Sequence, residues 1–243
     1  SINSGVVFTL ANADGTDLAM DGTLVNSGTL AFDSGATMTA GVSSNITYNG
    51  SATQTLGVGF PATVNNLTIN NASGVNMSGS LTVNGALQMQ AGTLATGSNT
   101  LTVNSSVSFS SSAVISGAGS FILSSGATLS TANTAGIQSS GATGSVQTNS
   151  RSFSSTANYV YNGSTTQVTG TGLPANVNNL TINNSSGVTL SGSTQVNGNL
   201  SLVSGLSIGS DNTLTINGTV SGSGGLTGGQ YSGLSVTGSG DLY

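Results

Sequence analysis

The sequence predicts an all-β fold: a parallel β-solenoid, expected to be a right-handed β-helix, elongated and without significant helix. Three observations carry this. Short runs alternating apolar and polar residues recur about every 14 to 20 residues, Gly-bearing breaks separate them, and a long stretch of the chain is written twice. Regular short strands also suit a sandwich or barrel built from hairpins, but the return of one strand motif favours coils stacked on one another.

The N-terminal segment, 1–44, reads as degenerate coils, because "DGTLVNSGTLAFDSGATMTAG" alternates Leu24, Leu30, Phe32 and Met38 with small or polar residues. A duplicated unit follows, its first copy spanning 45–157 and its second, truncated copy 158–243. Residues 48–89 align without a gap on 161–202, with 28 of 42 positions identical and the two prolines, Pro61 and Pro174, coinciding. Phe60 against Leu173, Met77 against Leu190 and Met89 against Leu202 are the exchanges an interior tolerates; Leu81 against Thr194 is not.

Within each copy "NLTIN", "SLTVN", "TLTVN" and "TLTIN" are strand candidates. Leu67 and Ile69, Leu101 and Val103, and Leu214 and Ile216 face one side, with Thr and Asn on the other. The breaks between them, such as "NNASG", "SGS" and "TGSN", stand too close together for a helix of ordinary length. Asparagines at equivalent coil positions are expected to form amide ladders and to serve the tight corners. With a rise of about 4.8 Å per coil, roughly 12 coils of about 20 residues make a rod on the order of 60 Å long.

Composition narrows the function classes. The 243 residues can bury a sizeable core, and 35% hydrophobic residues with a mean hydropathy of +0.17 argue for folding despite the Gly, Ser, Thr and Asn content. Only 3% of residues are charged, with six Asp, one cation (Arg151) and no histidine. A single cation cannot neutralise a phosphate backbone, so no nucleic-acid or anionic-membrane partner is expected. No apolar run approaches the roughly 20 residues of a membrane span, so no membrane insertion is expected. The opening "SINSGVVFTLANADG" lacks the basic end of a signal peptide and fits an already processed chain. The absence of cysteine fits an extracellular or cell-surface protein stabilised by repeated packing.

The same inventory argues against an enzyme. Serines have no His, Cys or Lys to activate them, the scattered carboxylates do not form a hydrolytic pair, and no Gly-rich stretch continues into a P-loop. No cofactor is expected. The one acidic cluster, "NADGTDLAMD", offers Asn12, Asp14, Asp17 and Asp21 as weak calcium ligands; the plainer reading is a solvated turn. Tyr48, Tyr159, Tyr161 and Tyr231 offer rings for sugar stacking, or simply close coil corners.

The motifs "YNGS", "NNLTINN", "SGVTL" and "VNGNL" resemble the β-helical repeats of secreted filamentous-haemagglutinin-like adhesins and of large surface proteins of Bacteroidota. The resemblance covers most of residues 45–220 and implies a secreted, parallel β-helical building block. The end, "VTGSGDLY", carries no recognisable extra domain, leaving the export route open.

The preferred functional expectation is structural: an extracellular subunit that associates with copies of itself as a filament, sheath or adhesive fibre. Strand pairing is expected through Val6, Phe8 and Leu10 at one end and Leu234 and Val236 at the other, where no cap is apparent. One alternative is an ice-binding face built from the T-x-N pairs Thr68 and Asn70, Thr82 and Asn84, Thr102 and Asn104, Thr181 and Asn183, and Thr215 and Asn217. Another is an adhesin module that binds surface glycans.

Overall fold

The computed structural model describes residues 1–237, so the terminal "GSGDLY" lies outside the described residues. The expected class holds: the described chain is all-β, with parallel coils stacked into a β-solenoid of about 12 turns. Two compact units are distinguishable, one made of Ser1–Ser108, Ala113–Ile122 and Thr148–Ser150, the other of Phe109–Ser112, Leu123–Gln147 and Arg151–Tyr243.

In the first unit each regular coil is three strands rather than one. The first face stacks Thr23–Asn26, Asn45–Tyr48, Asn66–Asn70 and Ala86–Ala91. The second stacks Gln54–Thr55, Val75–Asn76 and Thr93–Ala95, and the third Thr63–Val64, Leu81–Val83 and Thr100–Val103. Every one of these pairings is parallel, as coils winding in one direction require. Parallel stacking places like on like: Ile46 lies under Leu67 and Leu87, and Val64 under Val83 and Val103. Leu67, Leu87, Val83 and Val103 are fully buried, so these columns are the core.

The second unit repeats the plan. Its first face stacks Thr128–Thr131, Asn158–Tyr161, Asn179–Ile182, Asn199–Leu202 and Thr219–Gly222. Its second stacks Gln167–Val168, Val188–Thr189, Leu206–Ser207 and Leu226–Thr227, and its third Asn176–Val177, Thr194–Val196, Thr213–Ile216 and Gly233–Val236. The inner column Leu129, Tyr159, Leu180, Leu200 and Val220 runs along the first face. Thr194, the polar exchange against Leu81, is buried in the column below Leu214 and donates its hydroxyl to Gly192 O at 3.1 Å.

The duplicated asparagine sentence has two structural uses. Its early asparagines face outward and bond from coil to coil: Asn66 Nδ2 donates to Asn45 Oδ1 at 2.9 Å, and Asn179 Nδ2 to Asn158 Oδ1 at 2.7 Å. Its last asparagine turns inward at the corner. The side-chain oxygen of Asn71 accepts from Ser73 N at 2.9 Å, its carbonyl accepts from Gly74 N at 2.9 Å, and Gly74 takes a φ of 89°. Asn184, Ser186 and Gly187 make the same corner, with a φ of 88° at the glycine.

Candidate functional site

The most elaborate polar arrangement is buried and occurs twice. Gln54 occupies an inward position on the second face, directly below Val75, and Gln167 does the same below Val188. Gln54 donates Nε2 to Asn26 O at 2.9 Å and Gly28 O at 2.7 Å on the preceding turn, and its Oε1 accepts from Gly50 N and, on the next turn, from Asn71 Nδ2. Gln167 repeats every bond: to Thr131 O and Asn133 O, from Gly163 N and from Asn184 Nδ2. Both amide hydrogens and both oxygen lone pairs are used, which a buried amide requires. Each glutamine therefore fastens three successive turns where an irregular stretch gives way to regular coils. Nothing in the arrangement is nucleophilic, acidic or open to solvent, so its chemistry is structural.

The tyrosines differ between the copies. Tyr48, Tyr159 and Tyr161 are all buried, which overturns them as sugar-stacking residues: the apolar alternation that places them on a strand points them inward. Tyr161 donates its hydroxyl to Thr169 O at 2.8 Å and Tyr159 to Ser154 O at 2.7 Å. Tyr48, the repeat equivalent of Tyr161, pairs in register with Asn26 of the turn below, yet neither its hydroxyl nor Asn26 Nδ2 completes a hydrogen bond of ordinary geometry. Burial pushes the pKa of all three phenols well up; for Tyr48 the neighbouring Asn26 amide pulls the other way, and for Tyr161 the charge of Tyr159 adds to the rise. Tyr48→Phe is accordingly expected to leave stability unchanged or raise it slightly, whereas Tyr161→Phe costs about 1 kcal/mol. Denaturant melts of the two variants check this, and equal losses would contradict it.

The ten T-x-N residues do not make one plane. Thr68 and Thr181 lie on the first faces, whereas Thr82, Thr102 and Thr215 lie on the third. The two sequence spacings have different meanings: 14 residues from Thr68 to Thr82 cross the second face and the corners on either side of it, and 20 from Thr82 to Thr102 climb one coil. Asn70, Asn84, Asn104, Asn183 and Asn217 are all exposed, and three of them sit in two rungs: Asn104 Nδ2 donates to Asn84 Oδ1 at 2.8 Å and Asn217 Nδ2 to Asn197 Oδ1 at 3.0 Å. The rank that does align, Thr63, Thr82 and Thr102, is three residues long.

The acidic turn serves the backbone. Asp17 accepts from Thr37 N at 2.8 Å and from Ala13 N, donors that hold its carboxyl below the usual range, and Asp21 accepts from Ser43 N at 2.8 Å. The Asn12 side chain lies against Gly35, and Asp14 is exposed. The four candidate calcium ligands point to different partners, and no group of three or more metal-binding side chains occurs among the described residues. Arg151 donates Nη1 to Gln138 O at 2.9 Å and Nη2 to Gly141 O, tying down the irregular stretch before the second copy.

The two end coils expose apolar surface. Val7–Leu10 pairs with Thr29–Phe32 on one side and with no strand on the other among the described residues. Val7 is 62% and Phe8 46% exposed, Val6 is exposed as well, and Leu10 is buried. Ile2, Phe8, Leu18, Leu24 and Leu30 line an open cleft of about 200 Å³. At the other end Leu234 and Val236 continue the inner columns of Leu214 and Ile216, yet are 45% and 37% exposed because no described coil covers them.

No protein-family model matches the chain, and neither the curated proteins nor the solved structures contain a match.

Proposed function

We propose that the protein is a structural, non-catalytic subunit, extracellular or at a cell surface, that associates with copies of itself into a filament, sheath or adhesive fibre. The observation that carries this reading is the apolar first coil, with Val7 and Phe8 exposed on an unpaired strand edge beside a cleft lined by core-type residues. Such edges are templates for strand addition. The last described coil offers the complement, since Leu234 and Val236 are aliphatic side chains in inward register without a cover. A near-neutral surface lets copies approach with little repulsion, and one cation in 243 residues leaves few sites for trypsin-like proteases. The likeness of "NNLTINN" and "VNGNL" to β-helical adhesin repeats points the same way.

Sedimentation velocity of the purified 243-residue chain tests the reading. The expected result is growth into large species with rising concentration, and at least tenfold less polymer for Phe8→Lys, which sets a charge in the cleft. A wild-type chain that stays monomeric at high concentration rules the reading out.

A further inference from the structure

We infer that Asn217 is the site of spontaneous deamidation in the folded chain, so that the turn leading into the last described coil carries a slow chemical clock. The sequence writes Asn-Gly five times, at 49–50, 84–85, 162–163, 197–198 and 217–218. In this dipeptide the glycine amide nitrogen attacks the asparagine side-chain carbonyl, because no Cβ shields the nucleophile or restricts its backbone. The reaction needs that nitrogen free of the hydrogen bond that would hold its proton and its place.

Four of the five glycines fail this requirement. Gly50 N donates to Gln54 Oε1 at 2.9 Å and Gly163 N to Gln167 Oε1 at 2.8 Å, both inside the buried glutamine networks. Gly85 N donates to Asn65 O at 2.8 Å and Gly198 N to Asn178 O at 2.7 Å, each on the preceding turn. Asn197 N donates to Val177 O and Asn217 N to Val196 O, both at 2.9 Å, so Gly218 stands one coil beyond Gly198 at the same corner. Its N–H nevertheless has no acceptor among the described residues. Asn217 is exposed, and its Oδ1 accepts from Thr237 Oγ1 at 2.6 Å, a donor placed to stabilise the oxyanion that forms as the carbonyl is attacked.

Water is the only co-reactant. Gly218 N bonds to Cγ of Asn217 and gives up its proton, the Cγ–Nδ2 bond breaks, and Nδ2 leaves with that proton as ammonia. Water then opens the succinimide at either carbonyl, leaving aspartate or isoaspartate. Both products end the bond from Asn217 Nδ2 to Asn197 Oδ1 and bring a negative charge to a neutral amide ladder. Isoaspartate also adds a methylene to the backbone of a turn that joins Thr213–Ile216 to Thr219–Gly222. Ageing therefore loosens the chain at its last described coil.

Peptide mapping by mass spectrometry, on the full chain aged in dilute solution in warm, mildly alkaline buffer, tests this independently of polymer formation. Asn217 is expected to convert at least tenfold faster than Asn49, Asn84, Asn162 or Asn197. The same incubation in guanidinium chloride, where the fold no longer bonds any glycine amide, is expected to bring the five rates together. By NMR, the Gly218 amide proton is expected to exchange with solvent at least tenfold faster than those of Gly85 and Gly198. Equal conversion in the folded chain, another asparagine converting first, a ranking that survives unfolding, or a Gly218 amide as protected as that of Gly198 overturns the assignment.

Discussion

Gln167→Leu is expected to destabilise the protein by about 3–5 kcal/mol, an unusually large loss for exchanging a polar residue for an apolar one at a buried position. Leucine fills much of the same volume, and the column above it, Val188, Leu206 and Leu226, is aliphatic. By packing alone the change should be welcome. The loss comes from what is left behind: Thr131 O and Asn133 O lose their donor, and Gly163 N loses its acceptor, all within the fold. Each such orphan costs about 1–3 kcal/mol, and three of them outweigh what the transfer of one Leu side chain returns. Gln54→Leu carries the same penalty through Asn26 O, Gly28 O and Gly50 N. Equilibrium unfolding in guanidinium chloride reads both, and a loss below about 1 kcal/mol in either would show that the clamp is not needed.

Gly92→Ala is expected to be at least as damaging, for a different reason. A Cβ at Gly92 would stand 1.9 Å from the carbonyl oxygen of Asn71 on the neighbouring turn, and the residue has a φ of 76°. The contact is with backbone, which cannot rotate away, so the coils must part and the ladder beside them must stretch. A loss above about 3 kcal/mol is expected. Gly79→Ala is the control: nothing lies within 4 Å of the place its methyl group would take, and its φ is not positive, so it should be near neutral. Similar melting temperatures for the two variants would contradict the close stacking of turns on which the fold rests.

The fold is legible in the sequence where the pattern is longest. Leu67, Ile69, Leu101, Val103, Leu214 and Ile216 alternate over enough residues to reveal a period of two, and all six are fully buried. The asparagine ladder follows from repetition alone, because identical residues one coil apart must meet when coils are parallel. What pattern does not show is the second face. Val75–Asn76 and Val188–Thr189 are two-residue strands, too short to carry any period, so the alternation reveals only some of the three sides of a coil. Without that corner the T-x-N residues read as a single rank, when they are divided between two faces.

Polar residues in inward positions are equally illegible. Gln54 and Gln167 sit in "ATQT" and "TTQV", where nothing local distinguishes a buried amide from a solvated one. Their role depends on carbonyls 26 to 36 residues away in the chain. Only the strict repetition of Gln and Asn at both copies, Gln54 with Asn71 and Gln167 with Asn184, hints at a shared constraint. The tyrosines mislead for the converse reason: an aromatic ring before a turn has the look of a surface platform, and only the register with Ile69 and Ile182 shows that Tyr48 and Tyr161 point inward.

Whether coils continue from one copy into the next is read most directly by cryo-electron microscopy of the purified chain at high concentration. The account predicts polymers in which Val7–Leu10 of one copy pairs in parallel with an end-coil strand of another, closing the cleft around Phe8 over Leu234 and Val236. Isolated single copies, or polymers joined through their sides with both end coils bare, would contradict it.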